Sequence, residues 1–148
     1  MTIATAPDPI HNTTEPWVAK QIAEYLATDG AKPVFRYHAP LLLLTTRGRK
    51  TGEWRRTCLI YGLDNERILI VASLGGAPNH PVWYLNLTEN PRVWVQIGGE
   101  TFWAVARDAA ADEKPALWDT MVGIYPDYAD YQTKTDRQIP VVVLERER

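Results

Sequence analysis

The chain has 148 residues, 45% of them hydrophobic, and its formal net charge is −2. This composition predicts one globular domain with its own core, and the near-neutral charge argues against a nucleic-acid partner. The single cysteine, Cys58, excludes an intramolecular disulfide, and the three histidines are scattered without metal-ligand spacing, so no metal site is predicted.

Residues 1–13 include Pro7 and Pro9 among polar neighbours and are predicted to form a flexible segment without a core of its own. They lack the charged and apolar regions of a signal peptide, and no apolar run of the chain approaches the ~18 residues of a membrane span. We therefore expect a cytoplasmic protein in which residues 14–148 form a single domain.

Hydrophobic periodicity then predicts the secondary structure of this domain. An amphipathic helix is capped by Thr14 and stopped by Gly30, with Val18, Ile22 and Tyr25 on its apolar face. Six strands follow, at about residues 41–46, 56–63, 68–73, 92–97, 101–107 and 141–145, and helices near 81–89 and 112–123 interrupt them. Short turns at 64–66 and 98–99 join consecutive strands, so most neighbouring strands are expected to be antiparallel. The predicted class is α+β, and closure of the strands into a small barrel would remove exposed edges.

A basic turn follows the first strand, where Arg47, Arg49 and Lys50 lie between Gly48 and Gly52 in one short loop. Three crowded cations repel one another unless an anion screens them, so the loop predicts a phosphate or carboxylate partner. A solvated basic hairpin is the alternative, because no Walker-type phosphate motif is present.

A second stretch, residues 72–87, is a strand end, a turn at Gly75–Gly76 and a helix that Asn79 or His80 could cap. Its glycines allow close backbone approach, and the start of the helix offers unpaired N–H groups to a ligand. In the alternative interpretation the glycines only end the strand, and Trp83 packs in the core.

The third stretch places Tyr125, Tyr128 and Tyr131 at intervals of three residues. On a helical turn this spacing puts the three rings on one side, which suits a flat aromatic substrate. The alternative is that the rings only fill space over the barrel mouth.

Together these stretches resemble the deazaflavin-dependent nitroreductase and quinone reductase family of actinobacteria, over about residues 41–143. The matching motifs are LLTTRGRKTG, ASLGGA, PVWYLNLTENP and YPDYADYQ, in family order and spacing. The resemblance implies a split β-barrel of mainly antiparallel strands with flanking helices. It also implies coenzyme F420, an 8-hydroxy-5-deazaflavin, as cofactor and hydride transfer from its reduced form to a quinone or nitroaromatic acceptor.

The resemblance assigns roles to individual residues. The implied cofactor-binding residues are Arg49, Lys50, Thr51, Gly52, Arg55, Ala72, Ser73, Gly75, Gly76, Trp83, Tyr84 and Asn86. The implied substrate-binding residues are Tyr125, Tyr128 and Tyr131, and the hydroxyls of Ser73 and Tyr128 are the expected catalytic donors.

The chain departs from the family pattern at a few positions. Leu74 stands where a lysine is common, and Trp54 and Cys58 stand where prolines are common. Two other functions stay open from the sequence: an FMN-dependent reductase on the same barrel, and a non-catalytic module that binds a polyanion. If the acceptor is a lipophilic quinone, we also expect peripheral contact with the inner face of the plasma membrane. The sequence predicts no oligomeric state, because no strand has a pattern that indicates an interface.

Overall fold

The structure is a computed structural model that describes residues 5–147. Four α-helices are present: α1 Pro16–Ala27, α2 Val82–Glu89, α3 Lys114–Ile124 and α4 Asp127–Thr133. The strands are β1 Ile10–Asn12, β2 Phe35–Arg36, β3 Ala39–Arg47, β4 Trp54–Ile60, β5 Gly62–Asp64, β6 Arg67–Val71, β7 Arg92–Ile97, β8 Glu100–Asp108 and β9 Val141–Arg146. A short 3-10 turn, Leu74–Gly76, follows β6.

The strands form one sheet in the order β1-β4-β3-β7-β8-β9-β6-β5, with β2 added beside β3. All pairs are antiparallel except β1 with β4. The predicted α+β class and antiparallel hairpins are therefore confirmed. Full closure of the barrel is not observed, because no strand pairing in the described part of the chain joins β4 to β6. The sheet is split between these two strands.

Residues near the N-terminus differ from the prediction. Ile10–Asn12 form β1 and pair with Trp54–Arg56 of β4, although no regular structure is predicted before Thr14. The N-cap of α1 is Glu15, which makes no side-chain capping hydrogen bond, so the predicted Thr14 cap is wrong. The flexibility of residues 1–13, of which residues 1–4 lie outside the described range, and the single-domain assignment for residues 14–148 stay predictions.

The core has two layers because neighbouring strand residues point to opposite faces of the sheet. Leu41 and Leu43 of β3 pack with α1, α3 and α4, whereas Leu42 and Leu44 pack with α2 on the other face. This explains why four consecutive leucines are all buried. The apolar face of α1, predicted from helical spacing, is likewise buried.

The end of α1 contacts the β7–β8 hairpin closely. The hydroxyl of Tyr25 accepts a hydrogen bond from the Gly98 amide at 2.7 Å. The Gln96 amide nitrogen donates to Asp29 at 3.1 Å and to the Gly98 carbonyl at 3.0 Å. Gly30, with φ of 79°, follows in the same junction. These bonds fix where α1 ends and hold it across the sheet.

Candidate functional site

A cavity of about 660 Å³ lies in the gap between β4 and β6. Most of its lining comes from four parts of the fold: β4, the turn after β6, the start of α2, and the tyrosines at positions 125, 128 and 131, of which the last two lie in α4. Residues between 12 and 18, before and at the start of α1, also line it, together with Arg36 of β2, Leu41 and Thr46 of β3 and Val71 of β6. The split of the sheet therefore creates a cavity whose lining residues are distant in sequence.

Residues 57–60 of β4 contribute an unpaired strand edge to this cavity. β1 pairs with β4 only at Trp54–Arg56, so no neighbouring strand covers the rest of that edge among the described residues. The uncovered edge leaves backbone donors and acceptors facing the gap. A flat ligand with a polar rim can therefore bond there as an added strand would.

The turn after β6 forms the opposite wall, where Ser73, Leu74 and Gly75 line the cavity. Leu74 and Gly75 both have positive φ, of 44° and 63°. A Cβ added to Gly75 would meet nothing within 4 Å, whereas one added to Gly76 would lie 2.6 Å from the Tyr131 carbonyl oxygen. Gly76 is thus required for close packing of the turn on α4, and Gly75 faces open space.

Arg137 anchors this turn from behind. Its guanidinium donates to the backbone carbonyls of Ala72 at 3.1 Å, Ser73 at 2.7 Å and Ala77 at 2.9 Å. It also donates to the Nδ1 atom of His80 at 3.1 Å. Burial lowers the pKa of Arg137, and burial next to this cation lowers the pKa of His80. One side chain therefore sets the shape of the whole segment.

Tyr125, Tyr128 and Tyr131 all line the cavity, as the sequence predicts. Tyr125 and Tyr128 rings meet edge to face at 5.0 Å, and the hydroxyls of Tyr125 and Tyr131 are 3.0 Å apart. The Tyr128 hydroxyl has no hydrogen-bond partner within residues 5–147. Burial is the main cause that raises the pKa of Tyr128, so its phenol is protonated at neutral pH and available as a donor.

The basic turn is attached to the cavity wall through Asn86. The side-chain oxygen of Asn86 accepts from the Arg49 amide at 3.1 Å, and its nitrogen donates to Thr46 at 3.2 Å. Thr46 lines the cavity, while Arg49 and Lys50 are exposed beyond it. Asn86 is only 3% exposed, and its two hydrogen bonds, to Arg49 and Thr46, fix the position of the basic turn.

Tyr84 and the start of α2 also differ from simple expectation. The Tyr84 hydroxyl donates to both carboxylate oxygens of Asp108 at 2.9 Å, and burial and this hydrogen bond raise its pKa to about 12. The N-cap of α2 is Pro81, without a side-chain capping bond, so the predicted Asn79 or His80 cap is wrong. Tyr84 supports α2 away from the cavity.

The structure thus separates the predicted site residues into two groups. Those that line the cavity are Arg55, Ser73, Gly75, Trp83, Tyr125, Tyr128 and Tyr131. Those outside its lining are Arg49, Lys50, Thr51, Gly52, Ala72, Gly76, Tyr84 and Asn86. Their individual roles toward a ligand stay predictions. Sequence reasoning missed three arginines at the site, Arg36, Arg56 and Arg137, none of which belongs to a recognised motif.

Cys58 lines the cavity but is only 3% exposed. Burial raises the pKa of its thiol to about 12. Because the thiolate is the reactive form, we expect the native protein to react with iodoacetamide at pH 8 at least about tenfold more slowly than the urea-unfolded protein. Mass spectrometry of the alkylated chain measures this. Equal rates would contradict the buried placement of Cys58.

An open sheet whose split forms a mixed apolar and cationic cavity defines a cofactor-binding split-barrel protein. The family model described as F420H(2)-dependent quinone reductase matches residues 17–146. The chain therefore belongs to the F420H(2)-dependent quinone reductase family: it is an oxidoreductase, and its cofactor is coenzyme F420. The predicted family, enzyme class and cofactor are confirmed. The family match supports the deazaflavin as cofactor rather than FMN, which the sequence left open as an alternative.

Individual relatives agree with this assignment. The F420H(2)-dependent quinone reductase Rv1261c of Mycobacterium tuberculosis is 42% identical over 110 residues, which cover 72% of this chain and 74% of that protein. The solved F420-H2 dependent reductase FDR-A is 43% identical with a TM-score of 0.66, covering 71% of this chain and 93% of that one. A structure described as a domain-swapped dimer is 40% identical with a TM-score of 0.70, covering 90% and 100%.

The cavity fits a deazaflavin on its own features. Its volume lies within the roughly 300–1,000 Å³ typical of cofactor sites. The uncovered edge of β4 can bond the polar rim of the ring, and Arg55 and Arg56 provide cations for a phosphate. Residues 5–147 contain no group of three or more side chains that could hold a metal ion, and none of their helices is long and apolar enough to cross a membrane.

Proposed function

We propose that this protein transfers a hydride from reduced coenzyme F420 to a quinone, and that nitroaromatic compounds are a second class of acceptor. One observation carries the proposal: Ser73 and Tyr128 line one cavity from two different walls. Neither hydroxyl has a hydrogen-bond partner in the described part of the chain. Two free donors beside an aromatic wall suit an acceptor whose oxygens become negative during reduction.

The residues around the cavity divide the work of binding. We assign the cofactor ring to the uncovered β4 edge and the Ser73–Gly75 turn. The phosphate and the acidic tail are assigned to Arg55, Arg56 and the exposed basic turn that includes Lys50, because fixed cations suit a polyanion. Tyr125, Tyr128 and Tyr131 would then hold the acceptor against the ring.

Reduced F420, when bound, supplies two electrons as a hydride, and the protein supplies position and charge stabilisation. Ser73 and Tyr128 donate hydrogen bonds to the acceptor oxygens as negative charge grows there. Because burial raises the pKa of Tyr128, its phenol is a poor acid, and solvent protonates the product.

A fluorescence titration tests the proposal directly. Purified protein is titrated into oxidised F420 and, separately, into FMN. We expect saturable quenching with the deazaflavin alone, followed by oxidation of the reduced cofactor when menadione or a nitroimidazole is added. A protein that binds F420 yet oxidises it with neither acceptor would contradict the proposed reaction.

Replacing Tyr128 with phenylalanine is expected to lower kcat/KM for menadione by about tenfold or more, because one charge-stabilising donor is lost. The dissociation constant for F420 should stay within about threefold, since the ring itself is retained. Tyr61→Phe is the matched control, because Tyr61 is a partly buried tyrosine outside the cavity lining. Unchanged turnover in Tyr128→Phe would remove the donor role.

We further propose peripheral contact with the inner face of the plasma membrane. Trp17, Leu74 and Val82 line the cavity and are largely exposed, so they place apolar surface around its mouth. A Leu74→Ser/Val82→Ser variant should cosediment with anionic lipid vesicles at least about threefold less than the parent protein. Leu63→Ser is the control, because Leu63 is similarly exposed but outside the cavity lining. Equal losses in both variants would argue against this surface.

A further inference from the structure

A hairpin that no predicted motif includes contributes to the cavity. β2 and β3 are joined by two residues, Tyr37 and His38, whose φ angles are 48° and 70°. Neither is glycine, so each costs about 1–3 kcal/mol unless other contacts hold it. Backbone strain of this kind is concentrated at ligand-binding sites, and this hairpin contributes a residue to the cavity lining.

The hairpin presents Arg36, which lines the cavity. The guanidinium carbon of Arg36 lies 3.7 Å from the ring centroid of Trp17 and 5.3 Å from that of Tyr37. The Tyr37 ring in turn stacks with Tyr125, at 6.2 Å between centroids and 11° between planes. The hairpin is therefore attached to α1 on one side and to the tyrosine wall on the other, and Arg36 lies between them.

The charge of Arg36 is not neutralised within the protein. Within residues 5–147 no carboxylate forms an ion pair with Arg36, whereas Arg55 is paired with Glu53 at 2.9 Å. The remaining charged residues of the lining are Arg56, which is bonded to Asn12, and Glu15. An arginine has five N–H donors, which lie in the plane of the guanidinium. Stacking on Trp17 covers a face of that plane and occupies none of these donors.

Arg36 is also close to the acceptor side of the cavity. Its positive charge lowers the pKa of both Tyr128 and Cys58, against the larger opposite effect of burial. These two groups lie on α4 and β4, which both contribute residues to the cavity lining. A cation acting on both belongs beside the space where the proposed acceptor binds, next to the Tyr128 hydroxyl.

We propose that Arg36 binds the acceptor oxygen on which negative charge develops. It would so make this site selective for acceptors that carry a carbonyl oxygen on the ring, as quinones do, or an anionic substituent. This inference rests on the proposed function. Addition of a hydride, two electrons and one proton, to a neutral quinone breaks the carbonyl π bond and leaves a hydroquinone monoanion. One proton from solvent then completes the hydroquinone. A guanidinium in a partly dry cavity stabilises the monoanion far more than the neutral quinone.

A binding experiment without turnover tests this role. The probe is 2-hydroxy-1,4-naphthoquinone, which is an anion at neutral pH, compared with neutral 1,4-naphthoquinone. Arg36→Met keeps the apolar stem over Trp17 and removes the charge, and Arg36→Lys keeps the charge. Calorimetric titration should show about tenfold weaker binding of the anion to Arg36→Met, within about threefold for Arg36→Lys, and little change for the neutral quinone.

Arg92→Met is the matched control, because the Arg92 guanidinium is 3.9 Å from the Trp103 ring centroid but outside the cavity lining. It should bind the anionic probe like the parent protein. Thermal unfolding of all variants identifies any that do not fold. If folded Arg36→Met bound the anion as tightly as the parent protein, the inference would be wrong.

Kinetics separate this inference from the proposed function. With reduced F420 and menadione, Arg36→Met should lose about tenfold in kcat/KM while its dissociation constant for F420 stays within about threefold. An inactive parent protein would overturn the proposed function, yet the anion titration would still decide whether Arg36 is an anion site. Full activity in Arg36→Met, with unchanged anion binding, would overturn the role of Arg36 alone.

Discussion

Alanine at position 30 is expected to destabilise the fold by about 3 kcal/mol or more, a large part of the stability of a domain of this size. A Cβ added to Gly30 would lie 1.8 Å from the carbonyl oxygen of Gly98. That oxygen belongs to backbone, so no side-chain rotation relieves the overlap. Gly30 also has φ of 79°, a region that alanine adopts only with strain.

Relief of the overlap would require α1 to separate from the β7–β8 hairpin. The hydrogen bonds from the Gly98 amide to Tyr25 and from the Gln96 side chain to Asp29 hold these two elements together, so separation would break them as well. Thermal unfolding should show a midpoint lower by roughly 10 °C, or no folded protein at all.

Gly123→Ala is the control for this prediction. Gly123 lies in α3 with nothing within 4 Å of an added Cβ and without positive φ. Alanine there should stabilise the helix by about 0.5–1 kcal/mol. A Gly30→Ala protein as stable as the parent would show that the junction can open without cost.

Removal of the Arg137 side chain by alanine substitution is expected to weaken F420 binding by about tenfold or more and to cost about 2–4 kcal/mol of stability. The backbone carbonyls of Ala72, Ser73 and Ala77 would each lose the guanidinium as a donor, and among the described residues only the Ser73 carbonyl would keep another bond, from the Gly76 amide. The segment they belong to forms one wall of the cavity, and it includes Leu74 at positive φ. Without the guanidinium this wall should relax into other conformations.

Two further variants separate site geometry from general stability. Arg137→Lys keeps the charge but cannot reach all three carbonyls at once, so it should be intermediate. Arg107→Ala removes ion pairs to Glu113 and Glu145 away from the cavity, and it should lower the unfolding midpoint without changing F420 affinity. If Arg137→Ala bound F420 as tightly as the parent protein, the anchoring role would be disproved.

Local patterns predicted most of the fold. The apolar face of α1, five of the six proposed strands and the position of α2 follow from periodicities of 3.6 and 2, which depend only on nearby residues. The sixth proposed strand, at 56–63, is interrupted at Tyr61 and divides into β4 and β5. The short strands β1 and β2 carry no such pattern, because two or three residues are too few for a period to be recognised.

The candidate site was less predictable. The resemblance predicted that Ser73, Gly75 and the three tyrosines belong to one site, and all five residues line the cavity. However, Tyr84 and Asn86 stand in the same motif as Trp83 and turn away from the cavity, because successive residues of a helix point in different directions. Their orientation depends on how α2 rotates against the sheet, which is a tertiary contact.

Local hydrophobic spacing in the sequence predicted the α+β class of this protein, and the resemblance carried by its ordered motifs predicted its family and its cofactor. Only the tertiary structure decided that the sheet stays open between β4 and β6, and that Arg36 and Arg137 enter the site. Arg137 bonds to carbonyls 60 to 65 residues earlier in the chain. No local pattern encodes a contact at that separation, because it exists only once distant strands have packed.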